Sequence, residues 1–286
     1  MNALQRAQRS LDGLSVGDAF GELFFYISPE YATLNDLPGE MWRWTDDTHM
    51  ALSIVEVLKN FGRVDQDALA QAFARRYLDE PNRGYGSGAK RLLARIATGA
   101  AWREESPLLF GSGSCGNGAA MRVAPLGAFF ADDPSRAAAE ARLSAVVTHA
   151  HPEGQAGAMA VAVAAALASG TPRPAGRDFI EAVAGYVPEG LTRRGLQHAL
   201  EVPPGALALA ARLLGTGNQV TAQDTVPFCV WIAAHHPDSF EDALWETVRG
   251  LGDRDTTCAI VGGIVSLSAP EIPAEWLRRR EPLPQT

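Results

Sequence analysis

Residues 156–168, AGAMAVAVAAALA, place small apolar side chains on every face of any helix they form. Such a helix has no polar side to offer water, so other elements must surround it. The run is too short to cross a bilayer and reads as a buried central helix. It demands company, and the rest of the chain supplies it. Apolar residues recur at helical spacing over 3–16, 46–60, 66–78, 87–98, 135–147, 177–184, 192–200, 205–214, 240–249 and 256–267, and 154–168 carries the central run. TVPFCVWIAA (225–234) has an ambiguous period, and a helix opened by Pro227 suits its neighbours. Alternating strand patterns are missing. The expected fold is all-α: one many-helix orthogonal bundle spanning 1–286, with its core over about 5–268, no internal repeat and no linker.

Four glycine-rich stretches interrupt the periodicity and read as loops: 13–25, 82–88, 111–122 and 250–257. Loops on a rigid helical scaffold are where chemistry is expected, although each is also compatible with a helix C-cap and turn. Among 286 residues the formal charge is −8, which argues against a nucleic-acid or acidic-membrane surface. The three scattered cysteines form no disulfide framework or zinc pattern, so reduced thiols in the cytoplasm are expected. The amino-terminal stretch has amphipathic spacing rather than that of a signal peptide.

The stretch MWRWTDDTHMALSIVEVL (41–58) sets Thr45, Asp46 and Asp47 at the head of an apolar helix. A threonine N-cap followed by acidic residues is a common helix start. The same chemistry recurs in GDRDTTCAIVGGIVS, where Asp253, Asp255 and Thr256 open a second helix. Carboxylate and hydroxyl oxygens suit hard divalent ions, and four aspartates balance two of them. Two independent caps is the plain alternative. All-α terpene cyclases and prenyl transferases also use two aspartate-rich clusters. They need a carboxylate one turn on, where this chain has Thr48, His49, Met50 and Ala51.

Taken in order, GLSVGDAFG, WTDDT, RGYGSG, GNGAAMR, THAHPEG and GDRDTTCAIVGG resemble the ADP-ribosylhydrolase (ADP-ribosylglycohydrolase) family over about residues 5–268. EPNRGYGSG and GSGSCGNGAAMR look closest to the branch acting on serine-linked and polymeric ADP-ribose. The resemblance implies a hydrolase that removes ADP-ribose from a serine-linked protein, O-acetyl-ADP-ribose or a related conjugate, at the distal ribose. It implies two Mg²⁺ ions, with Mn²⁺ possible, held by Thr45, Asp46, Asp47, Asp253, Asp255 and Thr256, with Asp46 and Asp255 also catalytic. Gly84, Gly86, Gly113, Ser114, Cys115, Gly116, Asn117 and His149 would receive the substrate, the glycine turn cradling its diphosphate.

The chain departs from the family at two places. Where many relatives carry an acidic residue this chain has Phe25, and Glu22 lies three residues earlier. Three residues is nearly a helical turn, so Glu22 is assigned as general acid/base, with a solvated surface carboxylate as its plain alternative. Asp18 reads as structural, bonding backbone N–H groups. Cys115 stands where the close branch often has tyrosine, which leaves stacking on adenine and polymer processing without support. His149 reads equally as a core histidine. The His149-x-His151 spacing lacks a third zinc ligand, and His235 and His236 read as surface residues at a helix end. The expected partners are ADP-ribose or ADP-ribosylated protein or small molecule, with no nucleic acid and no membrane, and a monomer. The competing class is a non-catalytic ADP-ribose binder or crystallin-like structural relative.

Overall fold

A computed structural model describes residues 1–27, 37 and 39–284. Among them no β-strand occurs, only the isolated bridges Trp42 to Arg280 and Gly116 to Thr221. The helices that build the site are α1 (Ala3–Leu23), α2 (Asp46–Phe61), α3 (Gln66–Asp79) and α4 (Ser87–Ala97). They are followed by α5 (Trp102–Leu108), α6 (Ala124–Phe129), α7 (Pro134–Val146), α8 (Pro152–Ala168) and α9 (Gly176–Gly185). The carboxy-terminal part adds α10 (Leu191–Ala199), α11 (Leu207–Leu214), α12 (Val226–His235), α13 (Phe240–Arg249), α14 (Arg254–Val265) and α15 (Ala274–Arg279).

The apolar run lies in α8, packed by α6, α7, α9, α12 and α14. Residues 160–165 of it are entirely closed to solvent. The ambiguous 225–234 segment is the buried helix α12, with Pro227 in its first turn, where the missing N–H costs nothing. Three helices, α5, α6 and α15, were not among the expected ones; six or seven residues are too few to show a period.

The stretch 13–25 departs from the loop expectation. It is helical through Leu23, as part of α1. Gly13, Gly17 and Gly21 form one stripe, and a Cβ on them would lie 2.4, 2.0 and 2.1 Å from the carbonyl oxygens of Gly262, Cys258 and Arg254 on α14. Glycine in a helix costs roughly 1 kcal/mol against alanine. Here three of them let two antiparallel backbones touch, and α1 with α14 is the most extensive helix pair in the molecule. Ser10 Oγ reinforces the contact by donating to the Gly263 carbonyl at 2.7 Å. Beside it, Phe20 stacks on Trp276 at 4.6 Å and meets Trp245 edge-on at 4.9 Å, tying α1 to α13 and α15. Among the described residues, no helix is long and apolar enough to cross a membrane.

Candidate active site

The close α1–α14 contact carries the start of α14 onto the last turns of α1: a Cβ at Gly21 would lie 2.8 Å from the backbone nitrogen of Asp255. One turn earlier, Asp18 is fully buried and reaches the start of α2. Its carboxylate accepts the backbone N–H of Thr45 at 2.9 Å and of Thr48 at 3.1 Å, and the Thr45 hydroxyl at 2.8 Å. The Thr48 hydroxyl donates to it as well. Asp18 therefore bonds backbone N–H groups and also orients the Thr45 hydroxyl. A single turn of α1 joins the two remote helix starts.

Thr45 is the N-cap of α2, accepting from the Asp47 N–H. The capping role is real, but it leaves the carboxylates unexplained. Asp47 is closed to solvent and, among the described residues, neither its Oδ2 nor the buried Asp255 Oδ1 has a hydrogen-bond partner. Burial first, then the charges of Asp18, Asp255, Asp46 and Asp253, push the Asp47 carboxyl well above the usual carboxylate range. Asp255 is raised well above it by burial, Asp253 and Asp18. Asp46 rises to about 8, from burial and then Asp18, with Asp253 adding to it. The two clusters feel each other across the chain. Removing uncompensated like charges from water in this way is unfavourable without a counter-charge.

Asp253 is held from another direction. Its Oδ2 accepts the Asn117 side-chain amide at 2.7 Å, and that amide also donates to Thr225 Oγ1 at 3.2 Å. The Asp253 N–H donates to the Thr216 carbonyl at 2.9 Å, and Gly217 packs against its Cβ. Asn117 thus bonds Asp253 directly, beside its place in the glycine turn. Thr256 is buried at the start of α14. Gly84 packs on Asp46, with a Cβ there 3.2 Å from Oδ1, while Gly86 is the N-cap of α4 with open space around it. Among the described residues, no three His, Cys, Asp or Glu side chains already form an ion cage.

Glu22 lies one turn beyond Asp18, half-buried, and accepts from the Tyr26 hydroxyl at 2.8 Å. Burial and, more weakly, the neighbouring Asp253 charge raise its pKa while the Tyr26 hydroxyl opposes them, so its carboxyl lies within electrostatic reach of the acidic centre. Phe25 is exposed, with the Arg254 guanidinium over its ring at 4.8 Å.

The turn at 111–118 packs on the start of α8. Gly113 has φ of +84°, and a Cβ there would come within 2.6 Å of the His151 backbone nitrogen. Gly154 of α8 lets the turn approach, since a Cβ would sit 2.7 Å from the Ser114 carbonyl. Ser114 Oγ accepts the Gly116 N–H at 3.2 Å, and the Cys115 carbonyl accepts from Ala222. His149 is buried beneath this turn, with Nε2 3.1 Å from where a Gly118 Cβ would stand. His151 is the N-cap of α8, accepting from the Glu153 N–H. His235 and His236 are half-buried, and His235 Nδ1 bonds the Trp231 carbonyl at 2.8 Å. All three cysteines are free thiols.

Thr48, Thr216 and Thr225 carry no expectation from sequence, although they hold the acidic residues in place. The doubled threonine-aspartate pattern around Asp46 is the one local sign of the first. A family model described as ADP-ribosylglycohydrolase matches residues 1–285. ADP-ribosylhydrolase ARH3 of Mus musculus is 25% identical over 91% of this chain and 79% of its own length. ADP-ribosylarginine hydrolase Tri1 of Serratia proteamaculans is 24% identical over 96% of this chain and 75% of its own. A solved structure titled ADP-ribosylglycohydrolase-related protein complex superposes with a TM-score of 0.70 at 25% identity, covering 98% of this chain and 93% of that one.

Proposed function

The chain belongs to the ADP-ribosylglycohydrolase family, and from that premise we propose that it frees ADP-ribose from a serine-linked or O-acetyl acceptor with a pair of divalent ions at its acidic centre. It is an enzyme of the glycosidic-bond hydrolase class, on the ARH3-like branch. The observation that carries the proposal is the pair of buried, unpartnered oxygens, Asp47 Oδ2 and Asp255 Oδ1, brought together from two distant helix starts. Hard oxygen donors crowded against their own repulsion fit Mg²⁺ or Mn²⁺. Thr45, Asp46, Asp47, Asp253, Asp255 and Thr256 would hold the ions, with water completing the set. Ions held there would supply positive charge to ribose oxygens and would lower the pKa of a water.

The chain's own residues do the rest. Asp18 accepts the hydrogen bond of the Thr45 hydroxyl and the Asp47 N–H occupies one lone pair of that oxygen, so the hydroxyl is fixed with one lone pair left for a ligand. Asn117 steadies Asp253. The turn at Gly113, Ser114, Cys115 and Gly116, with Gly84, Gly86 and His149, receives the ligand, so that an acidic protein accepts a diphosphate through backbone groups instead of a basic patch. Glu22, raised by burial, moves a proton to the leaving oxygen or from the attacking water as the anomeric carbon gains oxocarbenium character.

The test is release of ADP-ribose from serine-linked peptide, arginine-linked peptide and O-acetyl-ADP-ribose, with Mg²⁺ and with chelator. Metal-dependent release is expected from the first and third. Glu22→Gln should lower kcat by ~10²–10⁴-fold while leaving ADP-ribose affinity unchanged. Undiminished turnover by an Asp46→Ala/Asp255→Ala double variant would overturn the proposal.

A further inference from the structure

Behind the glycine turn lies a buried cation with no part in the chemistry above. Arg122 is entirely closed to solvent. Its Nη2 donates to the Ser144 carbonyl at 3.3 Å and to Thr148 Oγ1 at 2.9 Å, its Nη1 approaches Met50 Sδ, and its plane lies over Phe73 at 4.4 Å. Among the described residues, no carboxylate hydrogen-bonds it.

The Thr148 hydroxyl, itself buried, sits between Arg122 Nη2 and His149 Nδ1, the latter at 2.7 Å. A guanidinium only donates, so it occupies a lone pair of the hydroxyl oxygen. The hydroxyl has one proton, and among the described residues its only acceptor is His149 Nδ1. Were Nδ1 protonated, donors would face the hydroxyl from both sides and its own proton would be stranded. A buried unsatisfied group of that kind costs ~1–3 kcal/mol, enough to choose between tautomers. Nδ1 is therefore bare, and the ring proton resides on Nε2. That nitrogen faces the turn, 3.4 Å from where a Cβ on Gly116 would stand and 3.1 Å from one on Gly118.

We infer that Arg122 and Thr148 are positioning residues: through the Thr148 hydroxyl they hold His149 as its Nε2–H tautomer, a fixed donor to a phosphate oxygen of the diphosphate in the glycine turn. The inference rests on the ligand reading given above for that turn. It separates His149 from Glu22 in kind, since a neutral ring with its proton pinned outward donates a hydrogen bond but does not shuttle protons. Burial, then the Arg122 charge, lowers the His149 pKa to about 3, in keeping with a ring that stays neutral.

The test is ¹⁵N NMR of the full-length protein labelled at histidine, with ADP-ribose as probe. At neutral pH the His149 signals should show a protonated Nε2 and a bare Nδ1, with Nε2 shifting on ADP-ribose addition. Thr148→Val, which keeps the shape and loses the hydroxyl, should mix the tautomers and weaken ADP-ribose binding by about 10-fold, the scale of one lost hydrogen bond. Thr148→Ser should restore both. A protonated Nδ1 in the unaltered protein overturns the inference, and so does a Thr148→Val variant with unchanged tautomer and affinity. Should Thr148→Val fail to fold, the unaltered and serine spectra still decide. A correct tautomer in a protein that binds no ADP-ribose would instead refute the ligand reading and leave the relay standing.

Discussion

The α1–α14 contact and the acidic centre at its end share neighbouring residues, Gly17 and Asp18, yet rest on opposite physics. The contact is close-packed backbone: three glycines bring carbonyl oxygens against bare Cα atoms, and toward its far end Ser10 and Arg9 donate to the carbonyls of Gly263 and Ser266. The centre gathers carboxylates that repel one another and leaves two of their oxygens without partners. Stability and function are thus held in adjoining but separate parts of the molecule. Close packing supplies a rigid floor, and on that floor a strained group of charges can be held ready for a ligand.

Breaking the floor should have the largest effect. Gly17→Val drives a branched side chain into the Cys258 carbonyl, where even a Cβ would be 2.0 Å away and the obstacle is backbone. A loss of more than about 3 kcal/mol is expected, read as a collapse of the urea midpoint or failure to fold. Gly185→Ala is the matched control, with nothing within 4 Å of the new carbon, and should shift stability by less than about 1 kcal/mol. Equal sensitivity at the two positions would erase the contrast.

Relaxing the charged side should do the reverse. Asp255→Asn removes one of the repelling carboxylates, so the metal-free protein is expected to gain ~1–2 kcal/mol in thermal or urea unfolding. The same change should cut turnover by at least about 100-fold, the scale on which even outer partners of a metal site act. It should also shrink the rise in Tm that Mg²⁺ produces. A variant both less stable without metal and fully active would contradict the comparison.

The smallest effect sharpens it with a buried titratable group outside the acidic centre. His149 has its folded pKa lowered to about 3 by burial and Arg122, against about 6.5 when unfolded. A base depressed in this way contributes its full stability above the unfolded value and loses it as pH falls towards the folded one. Between pH 6.5 and 5 the unaltered protein should therefore lose ~2 kcal/mol more than His149→Gln. Parallel pH profiles for the two proteins would show that the ring is not held neutral.

The helices were largely readable along the chain because their period is a local property: α2, α3, α7, α8 and α13 lie within about two residues of their expected bounds. Glycine was harder. GLSVGDAFGELFF looks like a loop when glycines are counted, and like a helix stripe once their spacing of four is set against a partner that only the fold supplies. The two acidic helix starts were visible as matching patterns. Their supports were not, since Thr216 and Thr225 have nothing in their surroundings along the chain to mark them, and Arg122, although it closes the GNGAAMR motif, shows nothing there of the hydroxyl it bonds.

What this chain determined locally was an all-helical scaffold, a central apolar helix that had to be enclosed, and two helix starts rich in oxygen. Periodicity and capping act over one or two turns, so they are written in the order of residues. Packing alone settled that the turn of α1 from Asp18 to Gly21 would join those starts, that Asn117 would meet Asp253 across a separation of 136 residues, and that Arg122 would bond the hydroxyl beside His149. Such bonds depend on the direction of side chains at a crossing of helices. No stretch of sequence carries that direction until the helices have packed.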